Sequence, residues 1–96
     1  MTLDPLELKG DLTRAVAVTG IRHPEVFLPA YWIASDNLTV TYSHGNERIR
    51  IEAVQDCIRW THFVDDKERR FTKITNWDGI VPSDLISDIK AMYAVN

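Results

Sequence analysis

The stretch LTVTYSHGNERIRIEAV, residues 38–54, alternates apolar and polar side chains on both sides of a short polar turn. The apolar positions in its two halves are Leu38, Val40 and Tyr42, then Ile49, Ile51 and Ala53. A period of two is typical of a strand with one buried face, and Gly45 suits the positive φ of a tight turn. The stretch therefore predicts an antiparallel hairpin with one apolar and one polar face.

The same period continues on both sides of this hairpin. Residues 30–35 predict a preceding strand that turns at Asp36-Asn37. Residues 58–64 and 70–77 predict a second hairpin that is joined across the polar segment 65–69. Five consecutive short strands form an antiparallel meander, which either stays a strongly bent open sheet or closes into a small SH3- or Sm-like barrel.

A helix is predicted before the strands. Asp4 precedes Pro5, and Glu7 follows three residues after Asp4, which is typical of a helix start with a capping box. Apolar side chains recur at helical spacing as far as Thr19, and Gly20 suits the left-handed position that ends a helix.

A second helix is predicted after the strands, capped by Ser83 or Asp84. Its apolar stripe consists of Leu85, Ile86, Ile89, Met92 and Tyr93. The order of helix, five strands and helix predicts an α+β fold, and a length of 96 residues predicts one domain over 1–96.

Composition narrows the class of protein. The net charge of −3 gives no global attraction to nucleic acid, and a single cysteine cannot form an internal disulfide, which favours a reducing compartment. The amino terminus lacks the pattern of a signal peptide, and the longest uncharged stretch, residues 26–35, is half the length needed to cross a bilayer. The sequence therefore predicts a cytoplasmic protein with no membrane partner.

Residues 57–66 hold the only cysteine, a histidine and two adjacent aspartates. On a strand, Cys57 points with Arg59 and away from His62, so a thiolate–imidazole pair is not expected. No metal-ligand spacing such as C-x-x-C or H-x-x-H occurs, so we predict no metal and no cofactor. A small enzyme that uses Cys57, His62 and Asp65 or Asp66 is retained as an alternative.

The candidate binding residues are basic. Arg48, Arg50 and Arg59 project opposite the apolar positions of their strands, so they share one face if the two strands are neighbours. With Phe63, and with Tyr31 if the fold brings it nearby, this face would offer guanidinium forks and an aromatic ring to an anionic ligand or a nucleic-acid backbone.

A solvated sheet face without a binding function also accounts for these residues. Lys67, Arg69, Arg70 and Lys73 make the last hairpin basic as well, and a polar sheet face is often only solvated. The acids expected to balance the arginines are Glu47, Glu52 and Asp56. Arginines without such neutralisation would favour binding of an anion, whereas a His62 nitrogen beside a carboxylate in an open pocket would favour an enzyme.

Residues 38–80 resemble the WYL domain, an Sm-like small β-barrel of bacterial transcription regulators. The resemblance is carried by the apolar-x-apolar-x-Tyr strand ending at Tyr42, the glycine turn, the arginine-rich strand at 48–51 and the Arg-x-Phe at 69–71. The signature tripeptide and two of the family's arginines are replaced, by Trp60-Thr61-His62, Thr72 and Thr75. The resemblance implies a bent sheet and a ligand-sensing role.

The sequence thus favours a non-enzymatic binding or regulatory module of a bacterium or phage, with Arg48, Arg50, Arg59 and Phe63 as its binding residues. A protein–protein interaction role is the alternative, and the question of nucleic acid stays open. Two amphipathic helices and a short meander leave a strand edge and several aromatic side chains to cover. We therefore expect a homodimer or a higher oligomer.

Overall fold

The computed structural model describes residues 11–25, 27, 31–54 and 56–93. Its elements are α1 (Leu12–Arg22), β1 (Trp32–Asp36), β2 (Thr39–His44), β3 (Glu47–Val54), β4 (Cys57–Val64), β5 (Lys67–Ile74) and α2 (Ser83–Tyr93). The strands pair antiparallel in chain order, so the predicted α+β fold with a five-stranded meander is confirmed. Over the described residues β1 and β5 form no ladder with each other, so the sheet is open and the closed-barrel alternative is wrong.

Both predicted hairpins form, and their turns lie at the same end of the sheet. In the first hairpin Tyr42 faces Ile49, and Gly45 has a φ of 63° at the turn. The second turn contains only Asp65 and Asp66, with φ values of 54° and 63°, as a two-residue primed turn requires. Because this turn is shorter than predicted, β5 begins at Lys67 and ends at Ile74 rather than covering 70–77.

The two helices pack against one face of the sheet, which we call the inner face. The buried side chains come from that face and from the facing sides of the helices: Leu12, Val16, Val40, Tyr42, Ile49, Ile51, Ile58, Trp60, Leu85, Ile89 and Met92 are among them. Trp60 donates its indole N–H to Asp88 Oδ2 of α2 at 2.7 Å, which satisfies a polar atom inside the core. The polar face of the predicted sheet therefore lies on the side away from the helices.

The helix limits differ from those predicted. The side chain of Asp11 accepts a hydrogen bond from the Arg14 backbone N–H at 3.0 Å and caps α1, while the predicted start at Asp4 and Pro5 lies outside the described residues. Gly20 lies inside α1, so its predicted left-handed conformation is wrong. A Cβ atom there would come within 2.9 Å of the Phe27 carbonyl oxygen, so close packing is what favours glycine.

The second helix shows its predicted apolar stripe, with Leu85, Ile89 and Met92 buried. Its cap is displaced, because Ile86 donates its backbone N–H to the Pro82 carbonyl and Ser83 is already the first helical residue. Among the described residues, neither helix has the length and apolar character needed to cross a lipid bilayer.

Candidate binding face of the sheet

The strand register places the three candidate arginines on the face opposite the helices. Arg48 lies across from Phe63, Arg50 from Thr61, and Glu52 from Arg59, and partners that face each other share one side of a sheet. The prediction that Arg48, Arg50 and Arg59 share a face is therefore confirmed. We call these six outward residues of β3 and β4 the arginine face.

Phe63 lies between two of the arginines. The guanidinium carbon of Arg48 is 4.7 Å from the centroid of the Phe63 ring, and that of Arg50 is 5.4 Å away. Each such cation–π contact at an exposed site is worth about 0.5–1 kcal/mol. The two contacts restrict side chains that would otherwise sample many rotamers, so the guanidinium groups are partly ordered before any ligand arrives.

Glu52 is shared by Arg50 and Arg59. Its Oε1 is 3.4 Å from Arg50 Nε, and its Oε2 is 3.3 Å from Arg59 Nη2. One carboxylate neutralises only one of the two guanidinium charges, and a guanidinium has five N–H donors of which this geometry uses few. Arg50 and Arg59 together therefore retain about one unit of positive charge, as well as N–H donors that Glu52 does not use.

The counter-charges differ from those that the sequence suggested. Of Glu47, Glu52 and Asp56, only Glu52 forms an ion pair with the arginine face among the described residues. Arg48 instead pairs with Asp66 of the adjacent turn at 3.4 Å, and the Asp66 carboxylate is almost fully exposed. Such an exposed pair contributes less than about 1 kcal/mol, so Asp66 can give way to a competing anion.

The balance of charge on this side of the sheet is positive. Lys73 lies across from Arg59, and Glu68 lies across from Phe63. Around the arginine face, on β3, β4, the paired positions of β5 and the Asp66 turn, the cations Arg48, Arg50, Arg59 and Lys73 outnumber the carboxylates Glu52, Asp66 and Glu68 by one, on a chain whose net charge is −3. A positive patch on an acidic protein is a local electrostatic feature that can attract an anion.

An outward row of side chains crosses all five strands and ends in apolar residues. The register links Ile33, Thr41, Arg50, Thr61 and Phe71 in this order. Ile33 is 76% exposed and Phe71 is also exposed, whereas Thr61 in the middle is only 4% exposed. Sequence reasoning missed Ile33 and Phe71, although the alternation of β1 and β5 could have placed both on the polar side.

Tyr31, which the sequence suggested beside the arginines, lies elsewhere. Its ring stacks on Tyr93 of α2, with the ring centroids 5.0 Å apart. The Tyr93 hydroxyl donates towards the backbone carbonyls of Tyr31 and Ser43, at 3.1 and 2.9 Å. Tyr31 therefore belongs to the contacts of α2 and takes no part in the arginine face.

Cys57 and His62, which the catalytic alternative would use, are not brought together. Cys57 and His62 occupy opposite faces of β4, as predicted, and Asp65 accepts a hydrogen bond at 2.9 Å from the side chain of Asn46, which lies in the turn of the first hairpin. His62 Nε2 is 3.5 Å from Glu47 Oε1, and this nitrogen is buried and forms no hydrogen bond among the described residues. No group of three or more metal-ligating side chains forms among the described residues.

Comparison with known proteins adds no further constraint, since no protein-family model, curated protein or solved structure matches this chain.

Proposed function

We propose that this protein is a non-enzymatic binding or regulatory module that holds an anionic partner, through phosphate or carboxylate groups, on the arginine face. The observation that carries the proposal is the shared carboxylate. Arg50 and Arg59 divide one glutamate between them, while Arg48 and Arg50 rest on Phe63. The arginine face thus keeps positive charge and N–H donors that its own carboxylates do not use, and contacts with Glu52 and Phe63 restrict the side chains that carry them.

The array suits oxyanions because of the shape of the guanidinium group. Its planar fork presents two parallel N–H donors to two oxygens of one phosphate or carboxylate, which a lysine ammonium cannot do. Backbone atoms of β3 and β4 are fixed by the ladder, so the arginines start from rigid positions. Binding costs less conformational entropy when the side chains that hold the ligand are already restricted.

The likeness of residues 38–80 to WYL domains supports a ligand-sensing form of this role, and the single cysteine supports a cytoplasmic location. Nucleic acid is one source of phosphate, and the exposed Phe71 ring at the end of the central row could stack on a base. A free phosphorylated metabolite is the other source. The two sources differ in how steeply binding weakens with salt.

The test uses a triple variant in which glutamine replaces Arg48, Arg50 and Arg59. Binding to single- and double-stranded nucleic acids and to phosphorylated metabolites is then measured by fluorescence anisotropy and calorimetry at several salt concentrations. We expect at least tenfold weaker binding of the partner with a melting temperature close to that of the wild type. Glutamine keeps polarity and most of the aliphatic stem, so the comparison isolates the charge.

A matched control removes the same charge from the helices. Arg14, Arg22 and Lys90 lie on α1 and α2, and their replacement with glutamine should leave binding at the arginine face unchanged. Equal weakening in both triple variants would mean that only overall charge matters and would contradict a specific site. Absence of binding by the wild type across the whole panel would also overturn the proposal.

A second candidate function is association with another protein chain, here a second copy, through the edge of β1. The β5 edge carries Lys67, Arg69, Arg70 and Lys73, a pattern that protects an edge from pairing. The β1 edge carries no charge before Asp36 and displays Ile33 on the outer side. Antiparallel pairing of two β1 strands would continue the sheet into the partner and place Ile33 beside outward side chains of the partner strand.

A further inference from the structure

A groove separates α1 from the segment that connects β5 to α2. Its volume is about 430 Å³, within the range of cavities that hold small molecules. Ala15 and Val81, both buried, line it, and Ile86 of α2 contributes to its wall. Val18 and Ile80 also line it but are 54% and 68% exposed, so apolar surface continues from the interior of the groove to its rim.

The Ile80 side of the groove is held rigidly. Asp78 Oδ1 accepts the Ile80 backbone N–H at 3.1 Å, and the buried Trp77 donates its indole N–H to the Ile80 carbonyl at 2.7 Å. Gly79 between them has a φ of 87°, a conformation that favours glycine. The exposed isoleucine is thus presented by a fixed turn, and a ligand that covers it need not order the backbone.

The α1 side of the groove has a cation at each end. Arg14, Val18 and Arg22 follow one another at intervals of four residues, so they lie along one side of the helix. A rise of 1.5 Å per residue separates the two arginines by about 12 Å along the axis. Neither guanidinium forms an ion pair within the described residues.

The other charges near the groove reduce its positive charge without cancelling it. Asp78 lines the groove as an anion and offsets one of the two arginine charges, while one of its carboxylate oxygens accepts the Ile80 backbone N–H. His23 also lines the groove, and its Nδ1 lies 3.7 Å from Glu25 Oε1. An apolar interior flanked by arginines is complementary to a molecule with an apolar body and a negative head group. It is a poor match for a cationic amphiphile or for a fully polar anion.

We propose that this groove binds a small aliphatic carboxylate. The hydrocarbon chain lies between Val18 and Ile80 over the buried floor, and the carboxylate takes a two-point contact from Arg14 or Arg22 at the rim. Covering Val18 and Ile80 removes exposed apolar surface from water, which supplies the main driving force. This site is separate from the arginine face and does not depend on the function proposed for that face.

The test uses decanoate below its micellar concentration, with decyltrimethylammonium as the probe of opposite charge. Calorimetry should give one saturable site for decanoate and at least tenfold weaker binding for the cation. In backbone NMR spectra, the amides of residues 15–22 and 78–81 should shift along with ligand occupancy. Equal binding of both probes, no binding of decanoate, or shifts located elsewhere would overturn the proposal.

Substitutions test whether decanoate binding depends on the groove or only on exposed apolar surface. Val18→Asp should abolish decanoate binding, whereas Ile21→Asp, on the same helix at an 80% exposed position that does not line the groove, should leave it unchanged. The double variant Arg14→Gln/Arg22→Gln should weaken binding at least tenfold and flatten its dependence on salt. Retained affinity in either groove variant, with an unchanged melting temperature, would contradict the assignment.

The same measurements keep the two proposals distinguishable. The arginine-face variant, with Arg48, Arg50 and Arg59 replaced by glutamine, should bind decanoate as the wild type does. A loss of decanoate binding in that variant would place the carboxylate on the sheet and not in the groove.

Discussion

Replacing Tyr42 with phenylalanine should stabilise the protein. Tyr42 is completely buried on the inner face of β2, and its hydroxyl has no hydrogen-bond partner among the described residues. Its ring meets Phe27 and Tyr93 edge to face, with centroid distances of 5.6 and 6.3 Å, and phenylalanine keeps both contacts. The substitution removes a buried polar atom and little else.

The magnitude follows from the cost of burying a hydroxyl without a partner, about 1–3 kcal/mol in protein substitution data. The space left by the oxygen forfeits a few tenths of a kcal/mol of dispersion contact. We therefore expect Tyr42→Phe to raise the free energy of unfolding by about 1 kcal/mol at pH 7. For a chain of this length that corresponds to a rise of roughly 4–8 °C in the melting temperature.

The effect should grow at high pH. Burial, and secondarily the neighbouring Tyr93, raises the pKa of Tyr42 above its usual range. Below pH 10 the hydroxyl is neutral in both the folded and the unfolded chain, so it adds no pH dependence there. Above pH 10 only the unfolded chain releases the proton, and stability then falls by about 1.4 kcal/mol per pH unit for such a group. Phenylalanine removes this loss.

The assay is urea unfolding at pH 7 and pH 10.5, with Tyr31→Phe as a control at a more exposed tyrosine. The control should change stability by less than about 0.5 kcal/mol at pH 7. A Tyr42→Phe variant that is less stable than the wild type would show that the hydroxyl is hydrogen-bonded. An advantage that fails to increase above pH 10 would show that the folded protein ionises Tyr42 readily.

Three further measurements test other parts of the structure. Asp88→Ala should lower stability by about 2 kcal/mol, because it leaves the buried Trp60 indole N–H without its acceptor. Arg70→Gln, which loses only an exposed ion pair to Asp88, should cost under about 1 kcal/mol, and similar losses in both variants would refute this account. Cys57 should react slowly with a mild thiol reagent in the folded protein, because His62 lies on the opposite face of β4; rapid reaction would revive the catalytic alternative. Light scattering should give a mass above that of one 11.0 kDa chain if β1 pairs with a second copy, and a mass near 11 kDa at micromolar concentration would count against pairing.

The sheet could be predicted from the sequence because its alternation is local. In β3 each apolar residue from Ile49 to Ala53 is buried, and each intervening residue faces the other side. The limits of β5 could not be predicted in this way, because its residues are mostly polar on both faces. The two-residue turn depends on positive φ at Asp65 and Asp66, which aspartate adopts only in the right context.

The candidate site was predicted in part for a similar reason. Alternation placed Arg48, Arg50 and Arg59 on one face as soon as β3 and β4 were taken to be neighbours. Which acid neutralises which arginine depends on rotamers and register, so the sharing of Glu52 and the contact with Asp66 could not be derived. The groove was missed because its wall at 78–81 has no regular period, and its α1 side looked like an ordinary exposed helix face.

The arginine face combines packing with charge, and Thr61 shows how. Neither of the two described helices packs on this face, yet Thr61 is buried there among the side chains of neighbouring strand residues. The register surrounds it with Arg50 and Phe71 across the strands, and with Arg59 and Phe63 along β4. Arginine stems cover apolar surface while their charged ends stay in water.

Alanine at the arginine positions would therefore expose Thr61 and Phe63 as well as remove charge, and a loss of binding could reflect a disturbed sheet. Glutamine retains much of the stem, so it separates the contribution of charge from that of packing.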